Sequence, residues 1–331
     1  MARVLVTGGA GYIGSHACKA LARAGHEPVV YDSLEHGFRD FVRWGPLERG
    51  DMLDSERLTA VIRAHKPEAV LHFAAYIAAG ESVEHPGKYY RNNVGGSLSL
   101  LQAMRDEGVG HLVFSSTAAV YGNPLSTPIA EDHRLLPINP YAHSKLFVEQ
   151  LLHDFGTAHG LKSVALRYFN AAGADPDGEL GECHEPETHL IPLALKAAFG
   201  AGKPLTVFGS DYDTPDGTPI RDYIHVADLA EAHVAALRHL LAGGASATAN
   251  LGVGSGYSVR DVLTATERVI GRPVPVIEGP RRAGDPTVLV ADPGHAMRLL
   301  SWKPNLAALD AIIETAARWE RSERRRALGH G

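Results

Sequence analysis

A tyrosine and a lysine stand four residues apart in the stretch YAHSK, which runs from Tyr141 to Lys145 and follows the loop LLPINP. If a helix begins there, one turn places both side chains on the same face, with Cβ atoms about 5–6 Å apart. An ammonium group close to a phenol favours the ionised phenolate and lowers its pKa. The pair therefore predicts an acid–base couple, although a helix-surface pair without function has the same spacing.

Three hydroxyl side chains, Ser115, Ser116 and Thr117, lie upstream in the stretch FSSTAAVYG. They follow a predicted strand, and doubly wound sheets bind their ligands at the carboxyl ends of strands. A hydroxyl at a strand end can also be a simple cap. Its combination with a tyrosine, a lysine and an upstream nucleotide-binding motif favours a catalytic set.

That nucleotide-binding motif is VTGGAGYIGSH, between the predicted strand RVLVT and the first predicted helix. Gly8, Gly11 and Gly14 form a GxxGxxG variant of the dinucleotide fingerprint. Glycine there permits a tight turn, close approach of the backbone to a pyrophosphate and close packing of helix on strand. The helix N-terminus offers N–H groups and a positive dipole end to phosphates. A glycine-rich turn without ligand is the alternative.

Two acids follow the next strands. Asp32 ends the predicted strand EPVVYD, where a carboxylate accepts hydrogen bonds from both adenosine ribose hydroxyls and repels a 2′-phosphate. No arginine follows it before Arg39, so NAD is predicted rather than NADP. Asp51, in GDMLD, is of a suitable type to reach the adenine amino group, but it can equally be an ordinary turn or cap residue.

Short apolar runs alternate with helical patterns through about residue 170, which predicts a parallel sheet covered on both faces. Beyond Asn170, loops rich in Gly, Pro and Asp separate short helices and isolated strands. The predicted fold class is α/β, a Rossmann-type doubly wound parallel sheet with a smaller, interleaved α+β substrate domain. The predicted cofactor-binding domain covers residues 1–170 with a returning segment at about 220–255, and the substrate domain covers 171–219 and 256–331.

Composition restricts the class of partner. The formal net charge of −6 argues against nucleic acid or an anionic membrane as the main partner. Only Cys18 and Cys183 are present, so no disulfide framework is expected and a reducing cytoplasm is predicted. We expect no signal peptide, and no stretch approaches the roughly 18 uninterrupted apolar residues that indicate a membrane span.

The chain resembles the extended short-chain dehydrogenase/reductase superfamily and, within it, the UDP-glucose 4-epimerases. The resemblance runs essentially end to end and is carried by GGAGYIGSH, HFAA, GESVEHP, NNVGGSL, SSTAAVYG, YAHSK, RYFNAAGA, HLIPLAL, RDYIHVADLA and RRAGDP. It implies an NAD-dependent isomerase of galactose metabolism that interconverts UDP-glucose and UDP-galactose through a 4-keto intermediate. The alternatives are an epimerase of another UDP-sugar (UDP-N-acetylglucosamine, a pentose or a uronate) and a non-catalytic NAD-sensing protein.

The resemblance implies a role for each catalytic group. Carbon 4 of a hexose has no adjacent carbonyl, so inversion requires removal and return of a hydride, and NAD can stay bound. Tyr141 would act as base and then as acid at the 4-hydroxyl. Lys145 and the positive nicotinamide would lower the pKa of Tyr141. Thr117 would form a hydrogen bond with the sugar hydroxyl. The related 4,6-dehydratases need an Asp–Glu pair where this chain has Ala118 and Ala119, so elimination is not expected.

The same resemblance implies the binding residues. The cofactor is expected to contact Gly8, Gly11, Tyr12, Ile13, Gly14, Asp32, Asp51, Met52, Phe73, Ala74, Ala75, Asn92, Ser115, Tyr141, Lys145 and Tyr168. The UDP-sugar is expected to contact Thr117, Tyr141, Asn170, His189, Leu190, Phe208, Arg221, Tyr223, Arg282, Asp285 and Leu289. Arg221 and Arg282 would grip the diphosphate with their guanidinium forks, with Asn170 nearby. Asp285 would hold the uridine ribose, and Phe208 would lie against the uracil or belong to the core.

Two positions depart from the family pattern. Ile77 stands where many bacterial members have a lysine, and His189 stands where an asparagine is common. The neighbouring Cys183, His184, Glu185 and His189 superficially resemble a metal site, but their spacing matches no zinc pattern. We therefore predict a solvated loop without metal.

Leu289 occupies a position that controls sugar size in the family, where tyrosine restricts the enzyme to plain hexoses and Cys or Ser admits N-acetyl groups. Leucine is intermediate, so we expect plain hexoses to be preferred and the N-acetylated sugar to be turned over weakly. Leu289 can also be an ordinary core residue. The resemblance further implies a homodimer in which each chain contributes two helices to a four-helix bundle.

Overall fold

The computed structural model describes residues 1–282 and 285–328, so Ala283 and Gly284 of the motif RRAGDP lie outside the described residues. The strands are β1 (Arg3–Thr7), β2 (Glu27–Asp32), β3 (Leu47–Arg49), β4 (Ala69–His72), β5 (His111–Thr117), β6 (Lys162–Tyr168), β7 (Asn170–Ala172), β8 (Leu205–Phe208), β9 (Ile220–Arg221), β10 (Tyr223–His225), β11 (Ala247–Leu251), β12 (Tyr257–Ser258), β13 (Val276–Gly279) and β14 (Val288–Leu289). The helices are α1 (Tyr12–Arg23), α2 (Ser55–His65), α3 (Ala79–Glu84), α4 (Pro86–Tyr89), α5 (Gly96–Asp106), α6 (Pro140–His159), α7 (Leu190–Phe199), α8 (Val226–Leu241), α9 (Val259–Ile270), α10 (Gly294–Leu300), α11 (Leu309–Glu320) and α12 (Glu323–Leu328).

Seven parallel strands form the central sheet, in the order β11-β6-β5-β4-β1-β2-β3. Val4, Leu5 and Val6 of the central strand β1 are fully buried, because apolar layers cover both faces of the sheet. The strand order reverses between β1 and β4, the point at which doubly wound sheets bind ligands beyond their carboxyl ends. The predicted Rossmann-type fold class is confirmed.

The smaller sheets lie in the second half of the chain. Strand β9 pairs with β12 and β14, β8 pairs with β13, and β7 pairs with β10. Strand β11, by contrast, returns to the edge of the large sheet beside β6. We retain the division into two interleaved domains as a proposal, which this strand pairing supports. Within the described residues, no helix combines the length and apolarity needed to cross a membrane.

Helix α6 presents the tyrosine and lysine of YAHSK. The side chain of Asn139 caps its first turn by accepting the N–H of Ala142 at 2.9 Å, and Pro140 occupies the first helical position. Gly160 ends the helix in a left-handed conformation with φ of 74°. Tyr141 and Lys145 therefore lie in the first two turns, as the sequence predicts.

A buried ion pair joins α6 to the sheet. Arg167 of β6 donates to Glu149 of α6 through Nε at 2.9 Å and Nη2 at 2.6 Å. Ser116 Oγ also donates to this carboxylate, and Arg167 Nη1 donates to the Tyr121 hydroxyl at 3.0 Å. Because each charge is hydrogen-bonded several times, the pair fixes how α6 lies against β5 and β6.

We predict that Arg167→Met destabilises the protein by about 3–5 kcal/mol, because Glu149 would be left buried without a counter-charge. Equilibrium unfolding in urea measures the loss. The matched control is Arg268→Met, which breaks an exposed pair with Asp310 and should cost under about 1 kcal/mol. The double variant Arg167→Met/Glu149→Met should recover most of the loss. Equal losses in the buried and exposed variants would contradict the assignment.

Candidate active site

The glycine loop after β1 packs directly against the segment after β4. Gly8 has φ of 74°, and a Cβ atom on it would lie 2.7 Å from the backbone nitrogen of Ala74. A Cβ atom on Gly14 would lie 2.2 Å from the carbonyl oxygen of Gly8. Any side chain at either position would push the loop out of place, so these two glycines are required by the backbone.

Asp32 holds the same loop from the end of β2. Its two carboxylate oxygens accept the N–H groups of Ala10 and Leu34, each at 2.9 Å. Burial raises its pKa, and the two N–H groups oppose that shift. A carboxylate offers about four acceptor positions, so Asp32 retains capacity for ribose hydroxyls. Helix α1 begins at Tyr12, and its N-cap residue Gly11 has no side chain to cap it, which leaves the first N–H groups of the helix available to phosphates.

The three predicted catalytic side chains converge at the carboxyl end of β5. Tyr141 lies close to Thr117, the last residue of that strand. Lys145 is buried, and its Nζ donates to the carbonyl oxygen of Ser115 at 2.8 Å. The arrangement joins a phenol, a hydroxyl and an ammonium at the sheet edge where the glycine loop lies.

Burial dominates the electrostatics of this set. It raises the pKa of Tyr141, and the Thr117 hydroxyl opposes that effect. It also lowers the pKa of Lys145 to about 7. The lowering of the Tyr141 pKa by Lys145 together with the positive nicotinamide stays a prediction for the protein with bound cofactor.

A buried chain of hydrogen bonds connects the glycine loop's strand to α6. His72 Nδ1 lies 2.7 Å from the Thr7 hydroxyl, and its Nε2 lies 2.8 Å from the Ser97 hydroxyl. Ser97 donates to the Asn93 carbonyl at 2.6 Å, and the Asn93 amide donates to Ser144 Oγ at 2.9 Å. Because the Ser97 hydroxyl donates its proton to Asn93, it can only accept from His72. His72 Nε2 therefore carries the imidazole proton, and His72 Nδ1 accepts a hydrogen bond from the Thr7 hydroxyl. The chain ends one residue from Lys145.

None of these linking residues was predicted to belong to the site. His72, Ser97 and Asn93 contact each other rather than a ligand, so spacing relative to the motifs does not identify them. A signal was nevertheless present, because His72 interrupts the apolar run AVLHFAA and Asn93 lies in NNVGGSL. A polar residue at a buried position needs a partner.

The other predicted cofactor residues lie around the same edge. Tyr168 is hydrogen-bonded to Ser115 Oγ, Phe73 packs at a tilt against the His233 ring with centroids 4.7 Å apart, and Tyr12 donates to the Gly173 carbonyl at 2.6 Å. The remaining members are Ile13, Met52, Ala74, Ala75 and Asn92, of which Met52 is buried and the others are half-buried. Asp51 is exposed and accepts the N–H of Leu53 at 2.8 Å, as a turn residue does; its contact with adenine stays a prediction.

The predicted UDP-binding side chains form a second group. Arg221 pairs with Asp285, and Arg282 Nη2 lies 3.5 Å from the same carboxylate. The Arg282 guanidinium lies over the ring of Phe208, 4.9 Å from its centroid. Phe208 is partly exposed, so its ring is not enclosed in the core. Two guanidinium groups and an aromatic face therefore meet in one place.

Short strand pairs connect this second group to the catalytic set. Asn170 lies opposite Tyr223 in the β7–β10 pair, and Leu289 lies opposite Arg221 in the β14–β9 pair. Leu289 is half-buried and packs against the apolar cluster of Ala118, Val120, Tyr121 and Ile129. The proposed gate thus lies opposite Arg221 and against the segment that follows Thr117.

The stretch from Glu182 to His189, which resembles a metal site in sequence, brings together other residues than the sequence pattern suggested. Cys183 is buried in a separate apolar cluster with Phe41 and Trp319, and Glu185 is exposed. Glu182 and Glu187 instead join His184 and His189, with their ligand atoms all within 4.8 Å of one another. His189 immediately precedes Leu190, the first residue of α7. Attraction between Glu182 and His189 raises the pKa of the imidazole and lowers that of the carboxyl, although burial opposes both charges.

Ile77, the other departure from the family pattern, is exposed on the segment between β4 and α3. An aliphatic side chain offers no charge or hydrogen bond to a cofactor at that position.

Comparison with known proteins places the chain among nucleotide-sugar enzymes. The NAD dependent epimerase/dehydratase family matches residues 4–252. The chain is 54% identical over 316 residues to a UDP-glucose 4-epimerase of Rhizobium meliloti (strain 1021), with 96% of each chain covered. It resembles the structure of UDP-glucose 4-epimerase from Brucella ovis in complex with NAD, with TM-score 0.94, 54% identity, and 96% and 98% of the two chains covered. It also resembles the Stenotrophomonas maltophila UDP-glucose-4-epimerase with bound NAD and formylated UDP-arabinopyranose, with TM-score 0.94, 42% identity, and 100% and 99% covered.

The buried hydrogen bonds of His72 predict a pH dependence of protein stability. Burial, assisted by the charge of Lys145, lowers the pKa of His72 from 6.5 to about 3. The unfolded chain therefore binds one more proton between these values, and the stability due to neutral His72 is lost as the pH falls from 6.5 toward 3. His72→Gln should be less stable than the original protein at pH 7. The difference in free energy of unfolding between the two proteins should narrow by about 2 kcal/mol as the pH is lowered from 6.5 to 5, because only the original protein loses stability there. Urea unfolding at each pH measures this difference.

The control for this comparison is His153→Gln, which removes an exposed histidine of α6 and should leave the pH profile unchanged. A gap between His72→Gln and the original protein that stays constant with pH would show that His72 does not titrate as its burial requires.

Proposed function

The chain belongs to the NAD dependent epimerase/dehydratase family, and from this premise we propose that it is a UDP-glucose 4-epimerase, an NAD-dependent isomerase that interconverts UDP-glucose and UDP-galactose. The observation that carries the proposal is the convergence of Thr117, Tyr141 and Lys145 beside the glycine loop. A non-catalytic NAD sensor would not need this set. A dehydratase would need an acid and a base where the chain has Ala118 and Ala119.

NAD fits the residues of the first half of the site. Gly8 and Gly14 let the loop pack closely at the uncapped start of α1, where free N–H groups can bind a pyrophosphate, and Asp32 retains acceptor capacity for the adenosine ribose. A 2′-phosphate would be repelled by that carboxylate, so we assign NAD rather than NADP. When bound, NAD supplies a hydride acceptor and donor for carbon 4 of the sugar.

The protein groups handle the proton. Tyr141 takes the proton of the 4-hydroxyl as the carbonyl forms and returns it when the alcohol is restored. Thr117, close to Tyr141 at the end of β5, holds the same oxygen in place. Lys145, one turn along α6, supplies positive charge when protonated, and this favours the phenolate. Inversion then depends on presenting the opposite face of the sugar ring to the cofactor.

The second group binds the nucleotide. Arg221 and Arg282, now paired with Asp285, are of the type that binds a diphosphate through two parallel hydrogen bonds. The ring of Phe208 offers a flat surface to uracil, and Asp285 offers an acceptor to the uridine ribose. Asn170, Leu190 and Tyr223 border this group through β7, α7 and β10.

The direct test is incubation of purified protein with UDP-galactose and no added NAD, followed by chromatographic separation of the UDP-sugars. We expect UDP-glucose to form, because the reaction is redox-neutral and the cofactor is regenerated in each turnover. Tyr141→Phe should lower turnover at least about 100-fold while leaving UDP binding intact.

The matched control for this test is Tyr90→Phe, which removes a phenol outside the site. Activity that requires added NADP, or a Tyr141→Phe variant with near-normal turnover, would refute the assignment.

Sugar size is the basis of a further prediction. An N-acetyl group placed against Leu289 requires repacking, which costs about 1–3 kcal/mol, or roughly 5- to 150-fold in kcat/KM. Leu289→Tyr should abolish turnover of UDP-N-acetylglucosamine and Leu289→Cys should raise it, with UDP-glucose turnover little changed. The measurement is kcat/KM for both sugars in the three proteins. An unchanged ratio in both variants would show that Leu289 is not the gate.

We also propose a homodimer in the cytoplasm. Phe147 of α6 is exposed and lies beside Tyr90, with ring centroids 5.9 Å apart, so a partner helix packing there would cover an apolar surface. Both cysteines are free and buried, which suits a reducing compartment.

A further inference from the structure

Two carboxylates with little solvent access lie in the segment before α7. The side chains of Glu182 and Glu187 are only 6% and 4% exposed. Among the residues that the structure describes, no lysine or arginine lies within 4.0 Å of either carboxylate, and their charged neighbours are His184 and His189. Burial of carboxylates is expensive, and proteins resolve it by ion pairing, which among these described residues is possible only with imidazoles, or by coordinating a metal.

A nearby acidic cluster is neutralised by the chain itself. Lys19 Nζ lies 2.6, 2.8 and 2.7 Å from the carboxylates of Asp175, Asp177 and Glu179. That cluster needs no additional cation, because an ammonium group already occupies its centre. The Glu182 cluster has no such group, although only a few residues separate the two along the chain.

The donor geometry of the Glu182 cluster suits a divalent transition metal. His184 Nδ1 lies 3.1 Å from Glu182 Oε1 and 3.9 Å from Glu187 Oε1. Neighbouring ligands of a tetrahedral zinc ion with bonds of about 2.0–2.1 Å are about 3.3 Å apart, which falls between these distances. His189 Nδ1 also contacts Glu182, and the two imidazole rings are perpendicular with centroids 5.2 Å apart. Imidazole and carboxylate together suit zinc, cobalt or manganese.

We propose that Glu182, His184, Glu187 and His189 form a binding site for one divalent transition-metal ion of the zinc class. Two carboxylates and two neutral imidazoles carry two negative charges, so a divalent ion makes the site neutral. The side chain of His189 is 45% exposed, which provides an entry path from solvent. The spacing E-x-H-x-x-E-x-H was not recognised in the sequence because two of the four ligands are glutamates. Cys183, which the sequence suggested as a ligand, is instead buried in an apolar cluster.

The position of the site indicates what the ion would do. His189 immediately precedes α7, and the His184 ring lies 6.3 Å from the ring of Tyr12, at the start of α1. Glu187 Oε1 also accepts the backbone N–H groups of Thr188 and His189, at 2.8 and 2.9 Å. A bound ion would therefore fix the start of α7 next to the glycine loop, between the two halves of the active site.

The experiment uses the full chain without a histidine tag, dialysed against a chelator and titrated with Co²⁺ while visible absorption is recorded. We expect saturation at one ion per chain, with the strong bands of a low-symmetry cobalt site, and displacement by Zn²⁺. His184→Ala and Glu187→Gln should weaken binding at least roughly 10- to 100-fold. Glu187→Gln keeps an oxygen that can accept the N–H groups of Thr188 and His189, so its effect reports on charge and ligation rather than on folding.

The matched controls are Glu185→Gln, an exposed acid of the same segment, and His153→Ala, an exposed histidine of α6. Both should bind Co²⁺ as the original protein does. Absence of a saturable one-to-one change in the original protein would overturn the proposal and leave the cluster as an ion pair of Glu182 with protonated imidazole. Equal affinity of His184→Ala and the original protein would overturn it as well.

Discussion

The site depends on the buried chain of hydrogen bonds that runs from Thr7 through His72, Ser97 and Asn93 to Ser144. It links the strand before the glycine loop to the helix that carries the proposed catalytic tyrosine and lysine. Each such bond contributes only about 0.5–1.5 kcal/mol net, but a buried group that loses its partner costs about 1–3 kcal/mol. This set of hydrogen bonds is therefore stable when complete, and breaking part of it costs free energy. That cost restricts movement of the cofactor loop relative to the helix.

The same chain determines which groups near the reaction centre carry charge. His72 is held neutral by burial and by the proximity of Lys145. The pKa of Lys145 is in turn lowered by burial to about 7, so its amino group changes between ammonium and neutral amine near physiological pH. A neutral imidazole network next to an easily titrated lysine leaves the phenol of Tyr141 sensitive to whatever positive charge binds beside it. In this way the protein couples acid–base strength to the presence of the cofactor.

The sequence predicts those features whose cause is local. The glycine spacing, the Asn139–Pro140 helix start and the alternating apolar runs each specify an element, and the structure confirms the fold class built from them. The linking residues His72 and Asn93 were missed because their partners are distant in sequence and no motif relates them. The acid–base strength of Tyr141 shows a related limit, because burial raises its pKa in the protein without cofactor, and the combined effect of Lys145 and nicotinamide stays a prediction. Spacing indicates that two groups are neighbours, but it does not indicate how strongly both are desolvated.

The large sheet is completed by a strand from far along the chain. Strand β11 joins the edge beside β6 only after β7 to β10 and helices α7 and α8 have been made, and Ala247 pairs with Val164 across that interval. During synthesis, β6 therefore stays an open edge with unpaired backbone groups until β11 leaves the ribosome. Closing so long a loop is slow because its entropy is lost before the pairing is gained. The arrangement that brings substrate-binding segments onto the sheet thus also creates the stage at which the nascent chain is most exposed to aggregation.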